Sequence, residues 1–285
     1  MNVLGQDAAR AALEAHHRQS DGAGSVLILG PDGVGRFRLA LEAAQRILGT
    51  DSASASRVET LQHVDLGVLD PSEGIDGVRA AAERLSRRPA EGTRQVLILR
   101  DLDRMSEAAH NALLKTLEEP PAGAALIAIA EAAHHLPETV VSRCRIVRAH
   151  ALSSADTAIV LADLGLPAEL VADAEGSPGR AVYLHENEVP EAAQLLVAMT
   201  QRPVSDPLGE VEGMLRRRSD EKAADQRRRL GETLRVAAVR LRAQLPESEP
   251  PLRSVVAALG SITANANPSV TFSDLALSFW RRTSA

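Results

Sequence analysis

Cysteine is almost absent from this 285-residue chain: the single example, Cys144, excludes an internal disulfide and any thiolate-rich zinc site built from this chain alone. Aromatic residues are nearly as scarce. Three Phe, one Tyr and one Trp leave too little material for a base-stacking platform, so binding of single strands by aromatic stacking is not expected. Lysine occurs only at Lys115 and Lys222. No apolar run approaches the length of a membrane span, and the first ten residues carry neither the basic nor the apolar region of a signal peptide. A cytoplasmic protein with no membrane partner is therefore expected. An excess of positive charge is missing as well: the net charge is −6, which argues against a basic clamp that holds nucleic acid by itself.

Hydrophobic residues make up 45% of the chain and charged residues 25%, so it can bury a real core and should divide into more than one domain. The stretch Gln95 to Pro121, QVLILRDLDRMSEAAHNALLKTLEEPP, organises the rest. Val96 to Leu99 is a short branched apolar run, as expected of a strand buried on both faces of a parallel sheet. Asp101 and Asp103 follow at what would be the carboxyl edge of that sheet, where open α/β folds place their ligands. Ser106 then starts a helix that Pro120 and Pro121 stop.

Upstream, Ser25 to Leu29 is a second strand, and it runs into Gly30-Pro31-Asp32-Gly33-Val34-Gly35-Arg36-Phe37 before a helix predicted over Arg38 to Leu48. The spacing of Gly30, Gly33 and Gly35 and the strand-to-helix context suit a phosphate-binding loop, but its chemistry is wrong. Such a loop needs Lys for the outer phosphates and then Ser or Thr for magnesium. Arg36 and Phe37 stand there instead, and Phe cannot coordinate a metal. The glycines are expected to do no more than shape a tight turn, with no cofactor and no metal.

The segment NALLKTLEEPP, Asn111 to Pro121, together with Gly5-Gln6 near the start and Ser142-Arg143-Cys144 after a further strand at Ala125 to Ala130, resembles bacterial clamp-loader subunits of the AAA+ class, part of DNA polymerase III. That resemblance implies a fold: an α/β domain with a P-loop type parallel sheet over residues 1–149, a small helical lid over 150–187 and an all-α collar over 188–285. It also implies an assembly. Partners would be ATPase subunits of gamma/tau-like and delta-like type, with the sliding clamp and primed DNA reached through the complex during DNA replication. Arg143 matches the arginine that this family supplies in trans to a neighbour's terminal phosphate, an arginine finger. Counting back from Met105, the carboxylates of a hydrolytic Walker B segment are replaced by Arg100 and Asp101, and a cation at the first place would repel magnesium. The implied role is therefore a non-hydrolysing loader subunit. An active ATPase subunit of the same loader and an unrelated AAA+ protein-binding adaptor remain alternatives.

Four further readings complete the sequence. Thr50 to Gln62 reads as a reduced connection where relatives carry a zinc module, and His63 and Asp65 resemble its exit. His134 and His135 read as solvated loop residues. Arg180, after Gly176-Ser177-Pro178-Gly179, matches the second sensor arginine of the family. In the last third, helices are predicted over Asp206 to Leu241 and from Leu252 onward, with Arg216 to Arg218 and Arg227 to Arg229 on a solvated, ion-paired face.

Overall fold

The computed structural model describes residues 3–19, 24–49, 51–202, 204–216, 221–245 and 248–283. They form two compact units, Met1–Asp163 with Glu175–Gly179, and Leu164–Ala174 with Arg180–Ala285. Among the described residues no helix is long and apolar enough to cross a membrane.

The first unit is built on strands β1 (Gly24–Leu29), β2 (Leu66–Leu69), β3 (Gln95–Leu99), β4 (Ala124–Ala130) and β5 (Arg145–Arg148), in the order β2-β3-β4-β1-β5 and parallel throughout. Parallel strands need crossovers, and helices supply them. The crossovers are α2 (Arg36–Leu48) with α3 (Ser52–Glu59), α4 (Gly74–Leu85), α5 (Glu107–Glu118) and α6 (Glu138–Val141), while α1 (Asp7–Gln19) precedes β1 and α7 (Ser154–Asp163) follows β5. Because side chains alternate along a strand, each apolar run serves two cores. Val26, Ile28, Val96, Ile98 and Ile127 pack with Leu39 and Ala44 of α2 and Val58 of α3. Leu27, Leu29, Leu97, Leu99 and Leu126 face the other way, onto Val78 of α4 and Leu113 and Leu117 of α5. That two-sided burial is why these segments lack the polar alternation of a half-exposed strand.

Local capping sets where the helices begin. Ser106 accepts the Ala109 amide at 3.3 Å and starts α5 as expected. The second helix begins at Arg36, two residues earlier than expected, because Gly35 takes a left-handed φ of 98° and turns the chain directly into it. Between Thr50, which lies outside the described residues, and Gln62, the expected reduced connection contains the short helix α3. Asp51 caps it by accepting the Ala53 and Ser54 amides at 3.1 and 3.0 Å, and Val58 anchors it in the core. Those amide bonds hold the Asp51 carboxyl below its ordinary range.

The second unit is helical. It contains α8 (Leu170–Ala174), α9 (Pro178–Glu186) from Arg180 onward, α10 (Val189–Met199), α11 (Pro207–Leu215), α12 (Ala223–Arg242), α13 (Glu249–Thr263) and α14 (Pro268–Thr283). Phe272 and Phe279 of α14 are fully buried, as are Leu230, Leu234 and Leu241 of α12. The helical segment expected over Asp206 to Leu241 holds two helices, because the backbone leaves the helical region at Arg216 (ψ 122°). The segment from Leu252 onward is likewise split, by Asn265 at φ 66° and Pro268 at the start of α14.

The arginine face is corrected most. Arg217, Arg218 and Asp220 lie outside the described residues, but Arg229 is buried rather than solvated. Its guanidinium pairs with both carboxylate oxygens of Glu221 at 2.8 and 3.0 Å and donates to the carbonyls of Met214 and Arg216 at 3.1 and 3.2 Å, closing the end of α11. Arg227 donates to the carbonyls of Ile262 and Ala266, and exposed Arg228 lies over the Tyr183 ring. These arginines staple helices together.

Candidate functional site

The glycine loop lies between β1 and α2. Gly30 packs against the strand beside it so closely that a Cβ there would come 2.3 Å from the Ala149 carbonyl oxygen, which explains the glycine without invoking a ligand. Gln6, flagged only as part of a family-like pair, is 2% exposed and holds this region together. Its amide nitrogen donates to the Val34 and His150 carbonyls at 3.2 and 2.6 Å, and its carbonyl accepts the His150 amide at 3.1 Å. From the other side the turn at Ser177 to Gly179 binds the loop: the Ser177 hydroxyl donates to the Asp32 carbonyl at 2.8 Å and the Gly179 amide to the Gly33 carbonyl at 2.9 Å. Loop carbonyls are thus engaged by the protein itself.

Arg36 is 6% exposed and folds back within the loop, where its Nη2 meets the Asp32 carboxylate at 3.2 Å. Its Nη1 is buried and has no hydrogen-bond partner. Phe37 is covered by the Arg100 guanidinium, whose carbon lies 4.8 Å from the ring centroid. Two residues separated by most of the sheet in sequence therefore meet, and neither a guanidinium nor a phenyl ring offers an oxygen to magnesium.

The carboxyl edge of the sheet holds the remaining polar groups. Asp101 takes a left-handed φ of 43° and opens a short 3₁₀ turn at Leu102–Arg104, which places both it and Asp103 ahead of α5. Asp103 instead accepts the Glu131 amide at 3.1 Å and lies 3.7 Å from the His135 Nδ1, tying the turn after β3 to the loop after β4. His134 and His135 are exposed, as expected, and His135 in addition lies beside Asp103. Asp103, Glu131 and His135 bring one ligand-type atom each within 4.8 Å of one another, a set that could hold a cation through two carboxylates and an imidazole.

Arg143 stands just past α6, on the same unit. Its Nε donates to the Glu118 carboxylate at 2.8 Å and its Nη1 to the Thr139 carbonyl at 2.9 Å, and the side chain remains 30% exposed. Cys144 next to it packs against the core, and burial pushes its thiol up to about 11.

Other flagged residues have structural partners. His63 is buried and accepts the Asp65 amide at 3.1 Å, while Asp65 accepts the amides of Ala90 and Glu91 at 2.7 and 2.9 Å. Arg180 pairs with Glu232 of α12 at 2.9 Å, inside the second unit. Sequence reasoning missed Glu118. Its only signal was membership of the Leu117-Glu118-Glu119 run, which does not say which glutamate meets an arginine 25 residues away.

The sequence profile of the family described as "DNA polymerase III, delta subunit" matches residues 5–153. The DNA polymerase III subunit delta' of Pseudomonas aeruginosa is 30% identical over 210 residues, 65% of this chain and 64% of that protein. The subunit delta' of Escherichia coli is 32% identical over 145 residues, 47% of this chain and 43% of that protein. The matches thus span between two fifths and two thirds of those relatives. Among solved structures, a DNA polymerase III gamma subunit-related protein from Thermotoga maritima superposes with a TM-score of 0.55 at 20% identity, over 95% of this chain and 99% of that one, which supports the fold. With a sheet in β2-β3-β4-β1-β5 order, a glycine loop ahead of α2 and a family profile matching more than half of its length, the chain belongs to the delta'-type clamp-loader subunits of DNA polymerase III.

Proposed function

We propose that the chain is a non-hydrolysing, delta'-like member of the clamp loader, divided into an α/β domain at 1–149, a lid at 150–187 and a collar at 188–285, and that Arg143 serves a neighbouring subunit's ATP site. The observation that carries the first part is the stack of Arg100 on Phe37 beside Arg36 bonded to Asp32. A loop whose cation is neutralised internally, and whose metal position is faced by a second cation, has little to offer a magnesium nucleotide. On the family resemblance, ring-forming partners of gamma/tau-like and delta-like type would carry ATP and open the sliding clamp on primed DNA; relatives named as subunits delta', tau and gamma of DNA polymerase III support partners of that assembly.

The finger reading is supported by Arg143 being partly exposed and held at two points, as a cation offered to a partner should be. The test is a loader reconstituted with normal or Arg143→Ala chain, with assembly checked by sizing and clamp- and DNA-stimulated ATP turnover measured. At the adjoining site hydrolysis is expected to fall by about a thousandfold or more. Unchanged turnover in an assembled complex would overturn the finger.

A further inference from the structure

Glu118 is the last residue of α5, and Arg143 lies one residue beyond the Ser142 that follows α6. Their ion pair spans 25 positions, at 2.8 Å from Nε to the carboxylate. The second anchor is the Thr139 carbonyl, which takes Nη1 at 2.9 Å and belongs to the last turn of α6. These two bonds take Nε and Nη1, which lie on opposite flanks of the guanidinium. Among the described residues, no bond to Nη2 accompanies them. A planar guanidinium pinned at Nε and Nη1 presents its remaining amino group, Nη2, in a set direction.

Both α5 and α6 are tied to the core, through Leu117 and Val140, which are 2% and 0% exposed. Ser25 further fixes the end of α5 by donating to the Leu117 carbonyl at 2.9 Å. The carboxylate that grips Arg143 thus projects from a rigid element. Glu118 itself is 57% exposed and the arginine 30%, so the pair contributes little to the stability of the chain. An exposed ion pair with such rigid backing and such little stabilising value is suited to orientation.

We propose that Glu118 is a positioning residue for Arg143: it fixes the arginine's Nε so that the Nη2 amino group is preset toward the phosphoryl oxygens of a nucleotide bound by the neighbouring subunit. This rests on the finger reading of Arg143. Without Glu118 the arginine keeps its charge but samples several rotamers, and misplacement on the order of 1 Å costs about a hundredfold in rate. Glutamine at 118 retains an oxygen that can accept from Nε, so it should preserve the orientation without the charge.

The experiment uses the reconstituted loader, with every ATP site silenced except the one adjoining this chain, and follows phosphate release over a range of ATP concentrations. Four versions of the chain are compared: Arg143→Ala, Glu118→Ala, Glu118→Gln and the control Glu119→Ala. The expected result is a kcat lowered about a hundredfold by Glu118→Ala with KM for ATP unchanged, recovery of most of that loss in Glu118→Gln, and no effect of Glu119→Ala. A merely structural glutamate would not separate kcat from KM, nor be rescued by glutamine. If Arg143→Ala lowers turnover and Glu118→Ala leaves it unchanged or raises it, Glu118 is not a positioning residue and the finger reading stands. If Arg143→Ala itself changes nothing, the finger reading fails and this inference with it.

Discussion

The guanidinium of Arg100 rests on the ring of Phe37, 4.8 Å from its centroid, and so joins the end of β3 to the first turn of α2. The contact sets a cation and a hydrocarbon face where a magnesium-nucleotide site would need oxygen ligands.

Magnesium ATP is accordingly expected to leave the melting temperature of the isolated chain unchanged. Binding at a hundredfold excess over Kd would stabilise the folded state by about 2.7 kcal/mol, which a thermal scan detects readily. A saturable shift would contradict the proposal, and ATP turnover abolished by Arg36→Ala would make the chain an active ATPase subunit.

Arg229→Ala should be among the most damaging single substitutions in the second unit. It strips a bidentate partner from Glu221, whose side chain is 7% exposed, and frees two carbonyls at the end of α11. Removing one member of a buried pair costs about 3 to 5 kcal/mol. Chemical denaturation should show the Arg229→Met, Glu221→Leu double variant to be more stable than Arg229→Ala, since no buried charge is then left alone.

Gly179→Ala and Gly213→Ala should move stability in opposite directions. A Cβ at Gly179 would come 2.7 Å from the Gly33 Cα, a backbone atom that cannot swing aside, so the turn over the loop must shift at about 1 to 3 kcal/mol. At Gly213, inside α11, nothing lies within 4 Å. Alanine there should stabilise by about 0.5 to 1 kcal/mol through helix propensity. Thermal melts of the two variants decide both, and a neutral Gly179→Ala would mean that the turn does not hold the loop closely.

Cys144 should label slowly with a thiol reagent at neutral pH and at once in denaturant. With its thiol pushed up to about 11 from an ordinary 9.0, the native chain holds a roughly hundredfold smaller thiolate fraction. Linkage gives the sign for stability: the contribution is whole below about pH 9 and is lost as pH rises from there through about 11, because the unfolded thiol ionises first. Cys144→Ala should flatten that alkaline loss. Equal labelling rates in the folded and unfolded chain would refute the burial.

Much of the first unit was legible because its signals are short-range. The runs at Val26 to Leu29 and Val96 to Leu99 declare strands buried on both faces, Ser106 and the proline pair bound α5, and the residues at 36, 37 and 100 depart visibly from nucleotide-site chemistry. The helix boundaries missed at Arg36, Ser52, Leu215 and Thr263 turn on single residues that leave or enter helical geometry, such as Gly35 and Asn265, where propensity alone decides little.

The amino-acid sequence by itself determined the two-sided strands β1, β3 and β4 and the motifs that place the chain in its family, since these follow from side-chain periodicity and neighbours a few positions apart, while the short strands β2 and β5 carry too few apolar residues to declare themselves. Only tertiary structure decided the pairings. Gln6 reaches His150, Arg100 reaches Phe37, Arg229 sinks among Glu221 and the α11 carbonyls, and Glu118 rather than Glu119 takes Arg143. A long charged side chain is at home in water or in an ion pair, and the choice depends on which acceptors packing brings within about 3 Å, a distance that no local pattern encodes.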